Sequence, residues 1–531
     1  MARKSSNQGR SLAVSFRSIT GESRQVYDLD RGSDIKTLSS CINFEPTNQA
    51  GKIQISKGFT LVCDLGTYSP LQNMKITKDD TDTSRFTAIS AGNVFDISDW
   101  ASSATSSQKA SGLKSSGFID IVATTKSNTT LGTSTNFLTL LDGVLNPQKY
   151  DYSSLTAFSL STAPQIANKG IYIHDRLWTD DVSQPALIHG SKAFVVDDFT
   201  GVDDAVFYQL GDNGNPLTAF TSLFMPADNS THIFAAKKDE LWAISGTEPS
   251  DFQEYQISAG EQGVSVGTQS PQGLLSVSGE IIILDNDSPK RYSTVISQSG
   301  VLRPQEIALP VKDMWEEDVN KDSLSNGFMC FSSKDGIAGR IYSFIPNVIN
   351  TCNEAFVYDR VGAWFRRQFW NYSFTCYAID PDTHDIYLGD PFGRIFKFND
   401  GYTYNNDSYN CVLDFGWIDF NAPGIQKTGT PFSFLETDIY ADTSIALNII
   451  KKARNGNITE EITKNFNLKR QEFKYGISKY GESFYTSKST EKSYFSLGSF
   501  DTCKVQMLIN NNGANFTINQ LYLTADPGNV L

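Results

Sequence analysis

The sequence contains few histidine and methionine residues and no long apolar segment. Among its 531 residues there are only 4 His and 6 Met. No window approaches the roughly 18 consecutive apolar residues of a transmembrane helix, so we predict no membrane span. The basic residues near the start are not followed by an apolar run of about 7–15 residues, so we expect no secretory signal peptide.

Cysteine is present, but never in a spacing that predicts a site. The seven cysteines are an odd number, and no two lie within four residues of each other. Without a Cys-x-x-Cys pair, zinc knuckles and redox motifs are excluded. We therefore expect most of them to be reduced, half-buried strand residues of a protein assembled in a cytosol. They are Cys41, Cys63, Cys330, Cys352, Cys376, Cys411 and Cys503.

Motifs of known catalytic chemistry are missing as well. The sequence has no Gly-x-Ser-x-Gly elbow, no Walker loop and no Gly-x-Gly-x-x-Gly after a strand. His174, His189 and His384 fall at expected turns and His232 in an expected strand, and none has the spacing of a metal-binding pair. We interpret all four as structural. The sequence thus predicts no catalytic residue, no cofactor-binding residue and no metal ligand, and we expect the protein not to be an enzyme.

The charge of the chain restricts its partners. The net charge is −14 and the pI is near 4.9, which argues against a dedicated nucleic-acid binder because contacts to phosphates need Lys and Arg. A surface of this charge can still let DNA pass without retaining it. The one local basic cluster is Arg3, Lys4, Arg10 and Arg17. We interpret it either as a solvated tail or as an arm that docks on an acidic partner.

Aromatic residues and turn signals, in contrast, are abundant. The chain has 35 Phe, 22 Tyr and 39 Gly, a composition that favours strands and turns over helices. Ala355–Asp400 shows the pattern best, with short apolar or alternating runs separated by turns such as Asp-Pro-Asp and Gly-Asp-Pro. Similar hairpins recur at irregular intervals of about 40–60 residues. The sequence therefore predicts an all-β protein with a β-propeller of about six blades, followed by a C-terminal β-sandwich.

Four segments follow from this pattern. Residues 1–25 are polar and predicted to form an N-terminal arm. Residues 26–65 are predicted to close the ring of blades by pairing with the last one. Residues 66–420 are predicted to form the propeller and residues 421–531 the β-sandwich. One helix is expected, within Val311–Leu324.

Three kinds of segment have competing interpretations. Ser102–Ser116 is polar and predicted to be a loop, either mobile or in contact with neighbouring molecules. Trp364–Trp370 mixes aromatics with arginines, which can stack on nucleic-acid bases, but packing within a blade is the simpler interpretation. Asp79–Asp82, Asp285–Asp287 and Asp380–Asp382 carry ligands suited to Ca²⁺. None has the glycine and closing glutamate of an EF-hand, so we interpret them as turns.

Several segments resemble those of one protein family, in the same order. Ile42–Phe59 is similar to an opening strand that leads to a Pro-Gly turn, with Lys57 where proline is commoner. Asp239–Thr247 resembles a strand that precedes a glycine-rich turn, and Leu388–Phe398 a last blade. Gly416–Phe420 then leads to the C-terminal domain. This order resembles the propeller-containing tail nozzle proteins of short-tailed phages, also called tail hub or packaged-DNA stabilisation proteins.

The resemblance implies a structural virion protein. Six identical subunits would form a ring at the tip of the phage tail, in contact with the portal adaptor and with tail fibres or tailspikes. The ring would retain packaged genomic DNA and conduct it during ejection without sequence-specific binding. The protein would be assembled in the host cytoplasm, and the family implies neither a cofactor nor catalytic residues. A ring of acidic subunits fits this role because like charge lets DNA slide.

An alternative function is a glycan-binding or glycan-hydrolysing propeller of the tailspike kind. Propellers include glycosidases that use pairs of carboxylates. Acidic residues are plentiful, with 59 Asp and Glu, but the sequence does not show which two would face each other. The Asp-box that marks sialidase-type propellers is missing. Because fold alone does not supply a glycan site, we place this alternative second.

Overall fold

The structure is a computed structural model of the chain. It describes residues 12–16, 21–22, 37–47, 52–128, 133–158, 166–200, 204–226, 228–257, 265–293, 304–347, 350–360, 362–418, 420, 426–430, 433–453, 457–468 and 489–527. The basic cluster Arg3, Lys4, Arg10 and Arg17, and most of the arm predicted for residues 1–25, lie outside these ranges.

Seven short strands precede the first complete sheet. Strands β1 to β7 are Leu12–Phe16, Gly21–Glu22, Thr37–Leu38, Ser40–Ile42, Phe44–Pro46, Ile53–Ile55 and Phe59–Asp64. Strands β5 and β6 form an antiparallel hairpin. Strands β2 and β3 pair in parallel. The remaining three strands, β1, β4 and β7, pair with strands that lie far along the chain.

Five antiparallel sheets follow, each of four consecutive strands. Strands β8 to β15 are Leu71–Lys78, Ser84–Ser90, Asn93–Ser98, Thr105–Ser111, Asp120–Asn128, Thr133–Leu141, Gln148–Tyr150 and Leu155–Ala157. Strands β16 to β23 are Gly170–Ile173, Arg176–Asp180, Leu187–Gly190, Val206–Gln209, Ala219–Met225, Ser230–Ala236, Leu241–Ser245 and Gln253–Gln256. Strands β24 to β27 are Leu274–Val277, Glu280–Ile283, Lys290–Ser293 and Gln305–Glu306.

Local turn chemistry explains several of these hairpins. Ala91 and Gly92, which join β9 to β10, have φ values of 51° and 74°. Ser278 and Gly279 join β24 to β25 with φ values of 48° and 82°. Two consecutive residues with positive φ are the mark of a type I′ turn, whose twist matches that of the strands it connects.

A short helical region separates the fifth sheet from the next set of strands. It consists of the 3-10 helix Leu309–Val311, the α-helix α1 at Lys312–Asp318 and the 3-10 helix Lys321–Asn326. The helix expected within Val311–Leu324 is therefore confirmed, although it is interrupted where Val319 becomes extended, with a ψ of 124°. With seven residues, α1 is far shorter than a bilayer-spanning helix, and no described helix is long and apolar enough to cross a membrane.

Two more sets of strands complete the series. Strands β28 to β31 are Phe328–Ser332, Arg340–Pro346, Cys352–Asp359 and Ala363–Gln368, and β32 to β34 are Cys376–Ile379, Ile386–Gly389 and Arg394–Phe398. The N-terminal β7 pairs antiparallel with β34 and supplies the fourth strand of the last sheet. Strand β7 belongs to residues 26–65, the segment predicted to close the ring of blades. It joins the last sheet, beside β34.

The C-terminal strands form two larger sheets. Strands β35 to β43 are Tyr409–Ile418, Lys427–Gly429, Ser433–Ile439, Thr443–Lys452, Ile458–Leu468, Ser489–Phe495, Ser499–Phe500, Thr502–Asn511 and Phe516–Pro527. One sheet has the order β40-β37-β43-β36-β41, and β1 and β6 also pair with β43. The other sheet has nine strands in the order β28-β29-β30-β31-β4-β35-β42-β38-β39. It therefore continues from β28–β31 into the C-terminal strands.

Strand β4 connects the two parts of the nine-stranded sheet. It pairs in parallel with β31, with Ile42 opposite Arg366, and antiparallel with β35, with Ile42 opposite Val412. A single large buried cluster extends across this region and includes residues from Leu38 to Ala525. The N-terminal segment thus holds two distant parts of the chain in one sheet.

The first strands of successive sheets contact one another. Strand β8 contacts β12, and the series continues through β16, β20, β24 and β28, while β32 contacts β8. Rings of Phe328 and Tyr377 stack at 5.7 Å between β28 and β32. These contacts and the four-stranded sheets define a nearly all-β, β-propeller-like fold.

Two expectations about local structure need correction. Ser102–Ser116, predicted to be a loop, contains the edge strand β11, whose polar residues are nearly all exposed. Such a strand lacks the apolar alternation that marks a half-buried strand. The cysteines, expected to be half-buried, are all buried, and burial raises the pKa of the Cys376 thiol to about 12.

Candidate functional site

The histidines considered from the sequence lie in separate places and bond to nearby groups. The ring of His232 lies 2.8 Å from the Tyr255 hydroxyl through Nδ1 and 2.5 Å from the Asp228 carboxylate through Nε2. His189 Nε2 lies 3.3 Å from Asp181 Oδ2. Burial lowers the pKa of His189, although Asp181 opposes this effect. Each ring is bonded within or beside its own sheet, as a structural interpretation predicts.

The other two histidines occupy turns. His174 has a φ of 52° and its Nε2 lies 2.7 Å from the carbonyl oxygen of Thr231. His384 has a φ of 56° and is exposed. Both positions agree with the sequence analysis, which placed these residues at turns.

The three acidic segments form turns in which carboxylates accept hydrogen bonds from the protein. Asp79 accepts from the hydroxyl and amide of Thr81, at 2.7 and 2.9 Å, and these bonds hold the pKa of Asp79 well below its usual range. Asp285 accepts from Lys290 Nζ at 2.9 Å. Asp380 accepts from the Asp382 amide at 2.9 Å. Throughout the described ranges, no three His, Cys, Asp or Glu side chains come together in a group that could hold a metal ion.

The aromatic segment Trp364–Trp370 packs within its sheet. Trp364 is buried and its Nε1 donates to the carbonyl oxygen of Ile307 at 2.9 Å. Phe365 and Phe369 are fully buried. Only Trp370, just beyond the end of β31, is exposed, at 55%. The interpretation as packing is therefore confirmed, and the stretch presents no row of rings to a nucleic acid.

Three buried arginines hold the N-terminal segment in place, and we call Arg340, Arg366 and Arg367 the arginine clamp. Arg340 forms ion pairs with Glu45 at 3.0 Å and with Asp359 at 3.1 Å. Its Nη2 also donates to the carbonyl oxygen of Pro46 at 2.6 Å. Since each of these groups is nearly inaccessible to water, the pairs form in a medium where charges interact strongly.

The other two members of the arginine clamp act in the same way. Arg366 donates to the Ser40 hydroxyl at 3.1 Å and to Asp318 at 2.8 Å. Arg367 donates to the carbonyl oxygen of Lys57, and its guanidinium lies 4.4 Å from the centre of the Phe398 ring. The two arginines considered for base stacking thus bind the chain's own N-terminal segment.

A cleft of about 260 Å³ lies where the first strands of several sheets begin. We call it the entry cleft. Its walls come from the start of β8 and from the segments just before β12, β24, β28, β30 and β32. The lining residues are Pro70, Leu71, Gln72, Ser115, Ser116, Gly117, Phe118, Pro271, Gln272, Ser325, Asn326, Gly327, Asn350, Thr351, Phe374 and Thr375.

The entry cleft has an uncharged lining of amides, hydroxyls and apolar groups. Beside it, Gln272 Nε2 contacts Asn73 Oδ1 at 3.4 Å, and this contact joins the fifth sheet to the first. Asn73 is buried and also donates to the carbonyl oxygen of Ile119 at 2.9 Å. Within one chain, these contacts reduce the width of the space that lies between the first strands of the sheets.

A second cleft, of about 340 Å³, lies between the β5–β6 hairpin, the turn after β28 and strand β37. Four of its seven charged lining residues pair with one another. Lys52 Nζ lies 3.3 Å from Asp438, and Arg340 pairs with Glu45. We interpret this cleft as part of the junction that the arginine clamp stabilises.

Sequence reasoning did not find the entry cleft. Most of its residues are ordinary Ser, Thr, Asn, Gln and Pro, several of which are also typical of turns. They come from segments as far apart as Pro70 and Thr375 and meet only when the sheets assemble. The one signal in the sequence was the position of these residues just before strands.

Comparisons with known proteins leave the function open. No family model and no curated protein matches the sequence. Among solved structures, the chain is similar to selenomethionine-substituted virginiamycin B lyase from Staphylococcus aureus, with 9% identity and a TM-score of 0.40 over 63% of this chain and 97% of that one. It is also similar to an extracellular domain from B. thetaiotaomicron described as part of a one-component system. That match has 11% identity and a TM-score of 0.41 over 84% of this chain and 60% of that one.

Proposed function

We propose that the protein is a structural virion protein that forms the hexameric tail nozzle of a short-tailed phage. In this role it extends the channel of the portal and its adaptor, retains packaged DNA and conducts it during ejection. It is assembled in the host cytoplasm and contacts the portal adaptor and tail fibres or tailspikes. It is not an enzyme in this proposal, and it needs no cofactor.

The observation that carries the proposal is the nine-stranded sheet. It runs from β28 to β39 without interruption, and β4 and the arginine clamp lock its two parts together. A nozzle subunit has to resist the pressure of packaged DNA. A continuous hydrogen-bonded sheet with a common buried core supplies a stiffer connection between domains than a polar linker.

We also propose how the sheets of one subunit are arranged. The seven four-stranded sets form a closed propeller, in which β7 completes the seventh blade, one blade more than the sequence analysis expected. The two C-terminal sheets face each other as a β-sandwich. Support comes from the sequential contacts between first strands and from the pairing of β7 with β34. Joining the last blade to an N-terminal strand removes a free sheet edge.

The passage for DNA lies between subunits in this proposal. Within one chain, the contact of Gln272 with buried Asn73 narrows the space between the first strands. A double helix therefore needs a channel formed by the ring of subunits. The net charge of −14 on each chain keeps such a channel from retaining the phosphate backbone.

Electron cryo-microscopy of the purified protein tests the proposal. The expected result is a six-fold ring with a central pore between subunits and seven blades in each subunit. A stable monomer at high protein concentration, absent from purified virions, would contradict it.

The alternative function is a glycan-binding or glycan-hydrolysing propeller, and its hydrolytic form is less well supported. Hydrolysis needs two carboxylates on either side of the scissile bond. The lining of the entry cleft contains neither Asp nor Glu. A screen for cleavage of host polysaccharides tests this alternative, and activity that disappears when one facing carboxylate pair is changed to amides would establish it in place of the nozzle.

A further inference from the structure

The entry cleft has the construction of a binding site rather than of a packing defect. The start of β8 and the segments before β12, β24, β28, β30 and β32 contribute to it, so its shape depends on how several sheets are arranged and not on one loop. One of its lining residues, Gln72, is held in place by hydrogen bonds. Gln72 Nε2 donates to the carbonyl oxygens of Lys114 and Gly117 at 3.0 and 2.9 Å, and Gln72 Oε1 accepts from the Gly92 amide at 2.8 Å. A lining side chain that is already fixed in this way limits the conformational entropy lost when a ligand binds.

The lining defines the charge of the ligand. None of the sixteen lining residues carries a charge at neutral pH. A charged group buried there would lose its hydration without gaining an ion pair, which is unfavourable. The entry cleft therefore favours a neutral ligand.

The lining also defines the chemical surface of the ligand. Accessible apolar surface comes from half-buried Phe118 and Pro271 and from exposed Pro70, while Leu71 and Phe374 are buried behind it. Hydroxyls and amides at the rim come from Ser325 and Thr351, among others. A ligand with an apolar face and a hydroxyl-bearing edge matches both parts, and a pyranose ring has this combination.

We propose that the entry cleft binds a neutral saccharide without cleaving it. The volume of about 260 Å³ lies just below the range of about 300–1,000 Å³ that is typical of ligand pockets, so the occupant is one small unit rather than a long chain. The sugar packs its apolar face on Phe118, Pro70 and Pro271, and its hydroxyls bond to the exposed polar lining residues. This function goes beyond the nozzle and does not depend on a ring of subunits.

Ligand-observed NMR on the full-length protein tests the proposal. The probes are glucose, galactose, mannose and N-acetylglucosamine with their disaccharides, and glucuronate and glucosamine serve as charged comparators. At least one neutral sugar should bind, and the charged comparators should bind more weakly. Ser325→Trp, at an exposed rim position, should abolish binding by filling the cleft. Thr351→Val should weaken it about 3- to 10-fold by removing one hydroxyl.

A matched control separates local effects from unfolding. Asn213→Ala changes an exposed residue away from the entry cleft and should bind as the unchanged protein does. All variants should keep the melting temperature of the unchanged protein. The proposal is wrong if no neutral sugar binds, if Ser325→Trp binds normally, or if the charged sugars bind best. Binding of a serine-rich peptide in place of every sugar would also overturn it, and would point to a contact between chains.

Discussion

At the scale of single residues, the arginine clamp is the feature least expected from the sequence. Arg366 and Arg367 are next to aromatic residues in the sequence, and such a mixture can stack on nucleic-acid bases. Their partners Ser40 and Lys57 lie more than 300 positions away in the sequence. No local pattern indicates such a partner, so the role of these arginines emerged only from the fold.

Removal of one clamp arginine should be costly. Arg340→Met leaves the buried carboxylates of Glu45 and Asp359 without this partner, and breaking a buried pair in this way costs about 3–5 kcal/mol. Scanning calorimetry should show a clearly lower melting temperature. The control is Lys334→Met, which removes a half-exposed partner of Asp385 and should cost at most about 1 kcal/mol. Equal shifts for the two variants would show that the clamp does not stabilise the fold.

At the scale of elements, hairpins between strands that are neighbours in the sequence were predictable, whereas pairings between distant strands were not. The hairpins within Ala355–Asp400 carry their own turn signals. Asp390, for example, accepts from the amides of Phe392 and Arg394, both at 2.8 Å, and so shapes the turn between β33 and β34. Strand β4 has only three residues, which are too few to show an alternation of polar and apolar side chains. Its place in the nine-stranded sheet could therefore not be predicted.

Strand β7 should be essential for the last sheet. The Phe59 ring at its start lies 4.7 to 6.2 Å from five other aromatic rings. Phe59→Ala leaves a cavity among them and should destabilise the protein by about 3–5 kcal/mol, as measured by thermal unfolding. Phe392→Ala, in the turn between β33 and β34, removes a ring that is 55% exposed and should change stability by no more than about 0.5 kcal/mol. A small effect of Phe59→Ala would mean that β7 is not needed to hold this sheet.

At the scale of the whole molecule, the fold class was predictable but the entry cleft was not. The turn spacing and aromatic content predicted a β-rich, propeller-like chain. The entry cleft combines residues as distant as Gln72 and Gln272, which approach only after the sheets are placed side by side. A site without charged or nucleophilic residues has no motif, so its position depends on tertiary structure alone.

The charge of the whole molecule leads to a prediction about DNA. A chain with a net charge of −14 should not retain duplex DNA, because phosphate binding requires basic contacts and releases counterions. Fluorescence anisotropy of a labelled duplex should therefore show no binding at physiological salt. Any retention at low salt should come from Arg3, Lys4, Arg10 and Arg17, and should disappear when these four residues are changed to Gln. Binding that survives both these substitutions and physiological salt would contradict passage without retention, since it would require a basic surface elsewhere on the folded chain.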